Sequence, residues 1–272
     1  MFHLGSRTFA RGIHRSFSNE SSVDVSESDG VRSLHLGTDT IQSSMRLSAP
    51  YALELPYTRG MMAFLLFSSQ VKNVLAIGLG GGSVPKYIHR HLPGMQIKVV
   101  EINPQIIRIA RSHFAVPEDD ERLQVIEGDG VAYLGENPDS AQVLRIDAFD
   151  SNGIPADMCT QEFFDSCAAV LTSDGMLAMN IWGSDRNFDV YLQRIEQSFK
   201  QRVLMLPTGR PGNIVVLGFR REPADLRWAT LRERAKKLEA EHKIEFLQIV
   251  EKLRDNNAGT NNRLLLEGDT AS

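Results

Sequence analysis

Asp147 and Asp150 stand three residues apart in Leu144-Arg145-Ile146-Asp147-Ala148-Phe149-Asp150-Ser151-Asn152-Gly153-Ile154-Pro155, where an apolar run gives way to a turn. Two carboxylates at the end of a strand suit a cationic substrate. They can hold an ammonium, orient its nitrogen and stabilise positive charge that grows there during attack. A free amine has a pKa of about 10 and is mostly protonated at neutral pH. Asp147 is therefore placed to accept a proton from an attacking amine, directly or through water, and to aim the freed lone pair. General base catalysis of this kind contributes roughly a hundred- to ten-thousandfold. Taken alone, the same pair reads equally well as acids that cap a helix or face water.

A second constellation weights the choice. Val74-Leu75-Ala76-Ile77 runs into Gly78-Leu79-Gly80-Gly81-Gly82-Ser83, which reads as a buried parallel strand turning sharply into a helix. Glycine has no Cβ, so the backbone of Gly78, Gly80, Gly81 and Gly82 can approach a ligand closely. Val99-Val100-Glu101 follows, with a carboxylate at the end of the next strand, where a ribose diol would be held. Leu123-Gln124-Val125-Ile126-Glu127-Gly128-Asp129-Gly130 ends the third apolar run. An acid at Asp129 can accept a hydrogen bond from an adenine amino group. A dinucleotide fingerprint wants a third glycine where this chain has Ser83. The loop therefore fits the nucleoside site of an S-adenosylmethionine-type fold better, and the acidic turn beside it suits displacement at a carbon attached to sulfonium.

These residues must be positioned by an alternation of strands and helices. Strand-like runs lie near 73–78, 96–101, 123–127, 142–147, 175–182, 202–206 and 213–219, with helical segments at 83–92, 104–114, 130–135 and 161–171. Such alternation implies a parallel sheet covered on both faces. The link 208–212 is too short for a crossover helix and makes the last two runs an antiparallel hairpin. The expected fold class is α/β: a methyltransferase-like (Rossmann-like) seven-stranded sheet with an antiparallel edge hairpin. A small N-terminal β-hairpin unit precedes it over 31–60, built from 31–36 and 38–43 across Gly37. The catalytic domain is read as 61–222. Residues 223–272 form a charged helical tail, either packed on the domain or offering a contact between two copies, and 257–272 are expected to fray.

Bulk properties narrow the class further. At 272 residues, 42% hydrophobic and 24% charged, the chain has an ordinary globular composition, and its net charge of −4 leaves no footprint for nucleic acid. Two cysteines, Cys159 and Cys167, suit neither a disulfide framework nor a metal site. No metal and no membrane span are expected, and the setting is read as cytoplasmic. Residues 1–30 are read as a disordered extension, or as a targeting segment. Arg7, Arg11 and Arg15 with Phe9, Ile13 and Phe17 sit at helical spacing within 1–19, a pattern compatible with an organellar transit peptide.

The segment from Gly78 through Trp182, with Gln42 upstream and the strand ending at Phe219 downstream, resembles the spermidine synthase (polyamine aminopropyltransferase) family. Glu101, Gly128-Asp129-Gly130 and Asp147-x-x-Asp150 carry the resemblance most specifically. It implies aminopropyl transfer from decarboxylated S-adenosylmethionine to a small polyamine such as putrescine. It also puts Glu101 on ribose, Asp129 on adenine, Asp147 in the acid–base role, and Asp150, Gln42 and Tyr57 on the amine. Gly130 falls in the nucleoside loop. The chain departs from the family pattern where Gly81 replaces a donor-binding aspartate and where Arg59 lies in the stretch before the core. Two alternatives accompany this reading. One is an S-adenosylmethionine-dependent methyltransferase, favoured by the lost acid at Gly81. The other is a non-catalytic nucleoside-binding homologue, which a structural salt bridge on Asp147 would favour. Arg145 is unexpected in a core strand, because an unpaired buried guanidinium is costly.

Overall fold

The computed structural model describes residues 11–17, 22–37, 40–149, 153–209 and 212–266. Four strands come first: β1 (Arg11–Phe17), β2 (Ser22–Ser28), β3 (Val31–Leu36) and β4 (Ile41–Arg46). They form an antiparallel sheet in that order. This corrects the reading of a disordered or targeting extension for 11–17 and 22–28, which lie in strands. Val23 and Val25 point inward at the period of a strand, fully buried, with polar residues between them. The hairpin also sits further on than 38–43, with Leu34 facing Ser43 and a bulge before His35 pairs with Ile41. Residues 1–10 and 18–21 lie outside the described residues, so the targeting reading is not carried further.

A short helix α1 (Pro56–Gly60), opened by its proline, runs directly into a buried 3₁₀ segment, Met61–Leu66. The main sheet then builds through β5 (Asn73–Ile77), α2 (Ser83–His91), β6 (Gln96–Glu101), α3 (Pro104–Phe114), β7 (Leu123–Glu127), α4 (Gly130–Glu136) and β8 (Ala141–Ile146). It continues with α5 (Gln161–Ala169), β9 (Leu171–Trp182), α6 (Phe188–Ser198), β10 (Val203–Pro207) and β11 (Asn213–Phe219). The order across the sheet is β10-β11-β9-β8-β5-β6-β7. The five strands from β7 to β9 are parallel, while β11 and β10 are antiparallel. All seven expected strands are present. Helix α6 was not anticipated; only Tyr191 and Ile195 of it are buried, too thin a stripe to read.

Successive residues of β5 face opposite layers. Val74 and Ala76 join the core under α2, α3 and the C-terminal helices, while Leu75 and Ile77 join the core under α4, α5 and α6. The tail forms two helices, α7 (Trp228–His242) and α8 (Phe246–Asn256), packed on the domain through Leu231, Ala235, Ile249 and Leu253. Beyond them Leu264 and Leu266 are buried, so residues 257–266 pack where fraying was expected. Among the described residues, no helix is long and apolar enough to cross a membrane.

This topology has one consequence for function. From β5 the chain winds outward through β6 and β7, then returns to β8 on the other side. The crevice beyond the carboxyl ends of β5 and β8 is therefore a topological switch point, the place where open α/β sheets bind ligands. Gly78 follows β5 and Asp147 follows β8, so both flank it.

Lys86 in α2 is fully buried and donates from Nζ to the Phe114 carbonyl at 2.6 Å. Burial pushes its ammonium down from 10.5 to about 8. The unfolded chain keeps that proton up to the ordinary value, so unfolding takes up a proton between these limits. The residue's contribution therefore improves as pH rises through the window. Relative to Lys86→Met, the wild type should gain up to about 3 kcal/mol between about pH 8 and pH 10.5. Urea denaturation at several pH values reads this directly, and parallel stability curves for the two proteins would contradict it.

Candidate active site

The first half of the site is the turn between β5 and α2. Glu101, at the end of β6, is 8% exposed. Its Oε2 accepts from the Leu79 amide at 2.8 Å and its Oε1 from the Asn103 amide at 2.9 Å. Burial pushes the carboxyl up from its ordinary value, while those amides pull toward the ionised form. The Gly80 and Ile102 amides act on the same carboxylate in the same sense. Asp129 is exposed at the N-cap of α4, where Oδ1 accepts from the Val131 amide at 2.8 Å. A side chain at Gly130 would start 2.4 Å from Ile77 Cγ2, so that turn lies tight on the strand.

Three glycines of the loop are required by space, Gly82 among them, where a Cβ would lie 2.3 Å from Val116 Cγ2. Gly78 has φ +89°, and a Cβ there would lie 2.5 Å from the Asp147 carbonyl oxygen. The glycine turn and the acidic turn thus touch through backbone. A Cβ at Gly81 would meet Ser43 Oγ at 2.7 Å and Phe114 Cδ1 at 2.9 Å. An acid there has no room without displacing β4 or α3. Next to Glu101 stands Ile102, a large apolar side chain that is 68% exposed. Sequence reading passed over it. No signal in the sequence could have shown it, because exposure is set by the fold and a single exposed apolar side chain is ordinary on a protein surface.

The second half is a cavity of about 370 Å³ whose lining includes Gln42, Tyr57, Asp147, Phe149, Asn180 and Trp182. Three residues chosen from sequence, Gln42, Tyr57 and Asp147, therefore meet in one pocket although they come from three separate elements. Tyr57 donates to the Gln42 carbonyl at 3.1 Å. Its phenol is held well above its ordinary pKa, first by burial and then by the nearby Asp147 charge, so it serves as a neutral donor. Asp150 falls in 150–152, outside the described residues. Arg59 faces away from the cavity, paired with Glu245 at 2.7 Å and bonded to the Leu53 and Glu54 carbonyls.

Asp147 itself is held from two sides. Its Oδ2 lies 2.5 Å from Arg145 Nη2, and its Oδ1 accepts from Asn180 Nδ2 at 3.0 Å. Asn180 Oδ1 in turn accepts from Asn213 Nδ2 at 3.0 Å. The ion pair is nearly buried, with side chains 5% and 12% exposed. Arg145 Nη2 thus has a counter-charge two residues away in a core strand, while its Nε and Nη1 are buried without a hydrogen-bond partner among the described residues. Phe149 and Trp182 stack with centroids 5.2 Å apart and planes 13° from parallel, forming an aromatic wall. The salt bridge does not remove Asp147 from the cavity, which it still lines. Asn180 and Asn213 were missed, because only the register of β9 against β11 brings them together.

A spermine/spermidine synthase domain matches residues 54–213, more than half of the chain. The chain belongs to the spermine/spermidine synthase family. A polyamine aminopropyltransferase of Chromobacterium violaceum is 37% identical over 258 residues, covering 95% of this chain and 99% of that one. Among solved structures, spermidine synthase from Thermotoga maritima superposes with a TM-score of 0.71 at 19% identity, covering 92% of this chain and 85% of the other. Human methyltransferase-like protein 13 in complex with SAH gives a TM-score of 0.62 at 23% identity over 69% of this chain and 92% of that one. Both structural likenesses speak for the family's fold, a methyltransferase-like α/β sheet.

Glu101 ties the glycine turn to β6 whether or not a ligand is present. In Glu101→Gln, one side-chain oxygen becomes an NH₂ that faces a backbone N–H and offers it nothing. The Leu79 or the Asn103 amide should then exchange with solvent at least roughly tenfold faster, the loss of about one hydrogen bond's worth of protection. Hydrogen exchange measured by NMR checks this; unchanged rates at both amides would contradict the tether.

Proposed function

We propose that this chain transfers an aminopropyl group from decarboxylated S-adenosylmethionine to a small polyamine such as putrescine, releasing methylthioadenosine. The observation that carries the reading is the juxtaposition at one switch point of a glycine turn tied to Glu101 and a cavity holding Asp147, Tyr57 and Gln42. Membership of a family whose relatives are named polyamine aminopropyltransferases supports it.

In this reading Glu101 takes the ribose hydroxyls, Asp129 the adenine amino group, and Ile102 the face of the base. The glycine turn of Gly78, Gly80, Gly81 and Gly82, with Gly130 opposite, lets the nucleoside lie against backbone. The acceptor enters the cavity beside Tyr57 and Gln42, with Asp150 assigned to its amine as the family motif implies. Its nitrogen attacks the carbon next to the sulfonium sulfur. A C–N bond forms, the C–S bond breaks, and the sulfur keeps the electron pair as a neutral thioether. The proton leaving nitrogen passes to Asp147, directly or through water, and then to solvent. The donor's positive charge disappears in this step, so a buried site assists it by excluding the water that solvates the sulfonium ground state.

One observation favours a second reading. The space at Gly81 is closed by Ser43 and Phe114, so no acid there can meet a donor ammonium. A loop of bare N–H groups suits a donor carboxylate instead, as methyl transfer from intact S-adenosylmethionine would need. Purified protein incubated with putrescine and either donor, with products followed by mass spectrometry, separates the two. Methylthioadenosine formed only with the decarboxylated donor and an amine is the expected result. S-adenosylhomocysteine from the intact donor would overturn it in favour of methyl transfer. Asp147→Asn should lower turnover at least a hundredfold, within the usual range for a lost general base, with nucleoside affinity near wild type. Equal turnover would remove Asp147 from the chemistry.

A further inference from the structure

Another cavity, of about 480 Å³, is lined by Arg202, Arg220, Arg221 and Arg263, with Glu222 beside them. Strand β11 separates it from the transfer site. The strand starts at Asn213, which lines the Asp147 cavity, and ends at Phe219, next to Arg220. At about 3.4 Å per residue the two cavities lie roughly 20 Å apart along it. The four arginines come from three separated stretches of chain: the residue before β10, the two after β11, and the segment beyond α8. Folding gathers these like charges at one place, and their mutual repulsion opposes it. Arg202 donates from Nε to the Phe219 carbonyl at 3.0 Å and from Nη2 to the Arg220 carbonyl at 2.8 Å. Arg220 donates from Nη1 to the Ala168 carbonyl near the end of α5. These neutral acceptors fix the guanidinium planes and do not cancel their charge. Arg263 pairs with Glu222 at 2.5 Å, and Arg221 is exposed. Capping α5 would account for Arg220 alone.

We infer that this cavity binds a diphosphate group, free or carried by a nucleotide, at a site distinct from the transfer site. A guanidinium is a planar fork whose N–H groups match the oxygens of a phosphate. Four such forks around one cavity suit two joined phosphates better than one. The volume falls within the range of small-molecule sites, which favours a compact ligand over an extended nucleic acid, as does the chain's net charge of −4. Glu222 shares the lining with the arginines, so it competes with the ligand for Arg263. The inference does not depend on the transfer reading, because neither the nucleoside turn nor the Asp147 cavity takes part.

Isothermal titration calorimetry of the full chain with inorganic pyrophosphate at low salt tests it, with inorganic phosphate and uridine diphosphate as comparison ligands. Pyrophosphate should bind at one site per chain, at least about tenfold tighter than phosphate, the worth of roughly one added charge-assisted hydrogen bond. Arg221→Glu changes an exposed position and should weaken pyrophosphate at least about tenfold, while Arg221→Lys keeps the charge and should cost less than about threefold. Glu222→Gln removes the competing carboxylate and should tighten binding at least about threefold, a change of sign that general damage to the fold would not produce. Uridine diphosphate bound as tightly as pyrophosphate, and weakened by Arg221→Glu, would support the site and make a nucleotide its source. Uridine diphosphate bound at least about tenfold more weakly would support it with free pyrophosphate as the source. No saturable binding to the wild type would overturn the inference, as would phosphate binding as tightly as pyrophosphate. An affinity that both Arg221→Glu and Glu222→Gln leave unchanged would place the ligand elsewhere and overturn it too.

Discussion

A guanidinium inside a sheet must meet a counter-charge or cost the fold heavily, and Arg145 meets Asp147 at the end of the same strand. Taking both charges out of water has a desolvation cost that the attraction between them offsets only with good geometry and further hydrogen bonds. Asn180 supplies one to the carboxylate, and Asn213 fixes the orientation of Asn180. Removing either ion would strand the other, so the pair locks the turn after β8 where the crevice needs a rigid wall. The Gly78 backbone rests against that turn, and through it the glycine loop and Glu101, which accepts from the Leu79 amide, share one frame with the cavity.

The sheet order explains why the two halves meet. Strand β5 sends its connection to one side and β8 sends its own to the other, leaving a gap that neither loop fills. Among the described residues, Glu101 ends β6, Asp129 caps α4 after β7, and Asp147 follows β8 and lines the cavity. The N-terminal sheet closes it from outside by bringing Gln42 and Thr40 to the cavity, and α1 contributes Tyr57. The C-terminal helices pack into the same core as the N-terminal sheet and α1.

Much of this was legible in the sequence for a physical reason: buried parallel strands are short apolar runs ending in glycine or acid, so both their limits and their functional ends are written locally. The hairpin of β3 and β4 was legible apart from its register, whereas β2 was not, because it buries only Val23 and Val25 among serines and acids. The partner of Arg145 was open to reading in principle, since residues two apart on a strand share a face. What the sequence could not reveal was the Asn180–Asn213 contact, which depends on register between β9 and β11. The crowding at Gly81 was equally hidden, because Ser43 and Phe114 reach it from distant elements.

The central claim is that Asp147, paired with Arg145, faces the reacting nitrogen. A crystal structure of the protein with methylthioadenosine and an amine acceptor tests it most directly. The account predicts the amine nitrogen at about 3 Å from an Asp147 carboxylate oxygen, the ion pair with Arg145 intact, and the ribose on Glu101. An amine bound elsewhere, with Asp147 facing only Arg145 and Asn180, would contradict it and leave the acid as part of the scaffold.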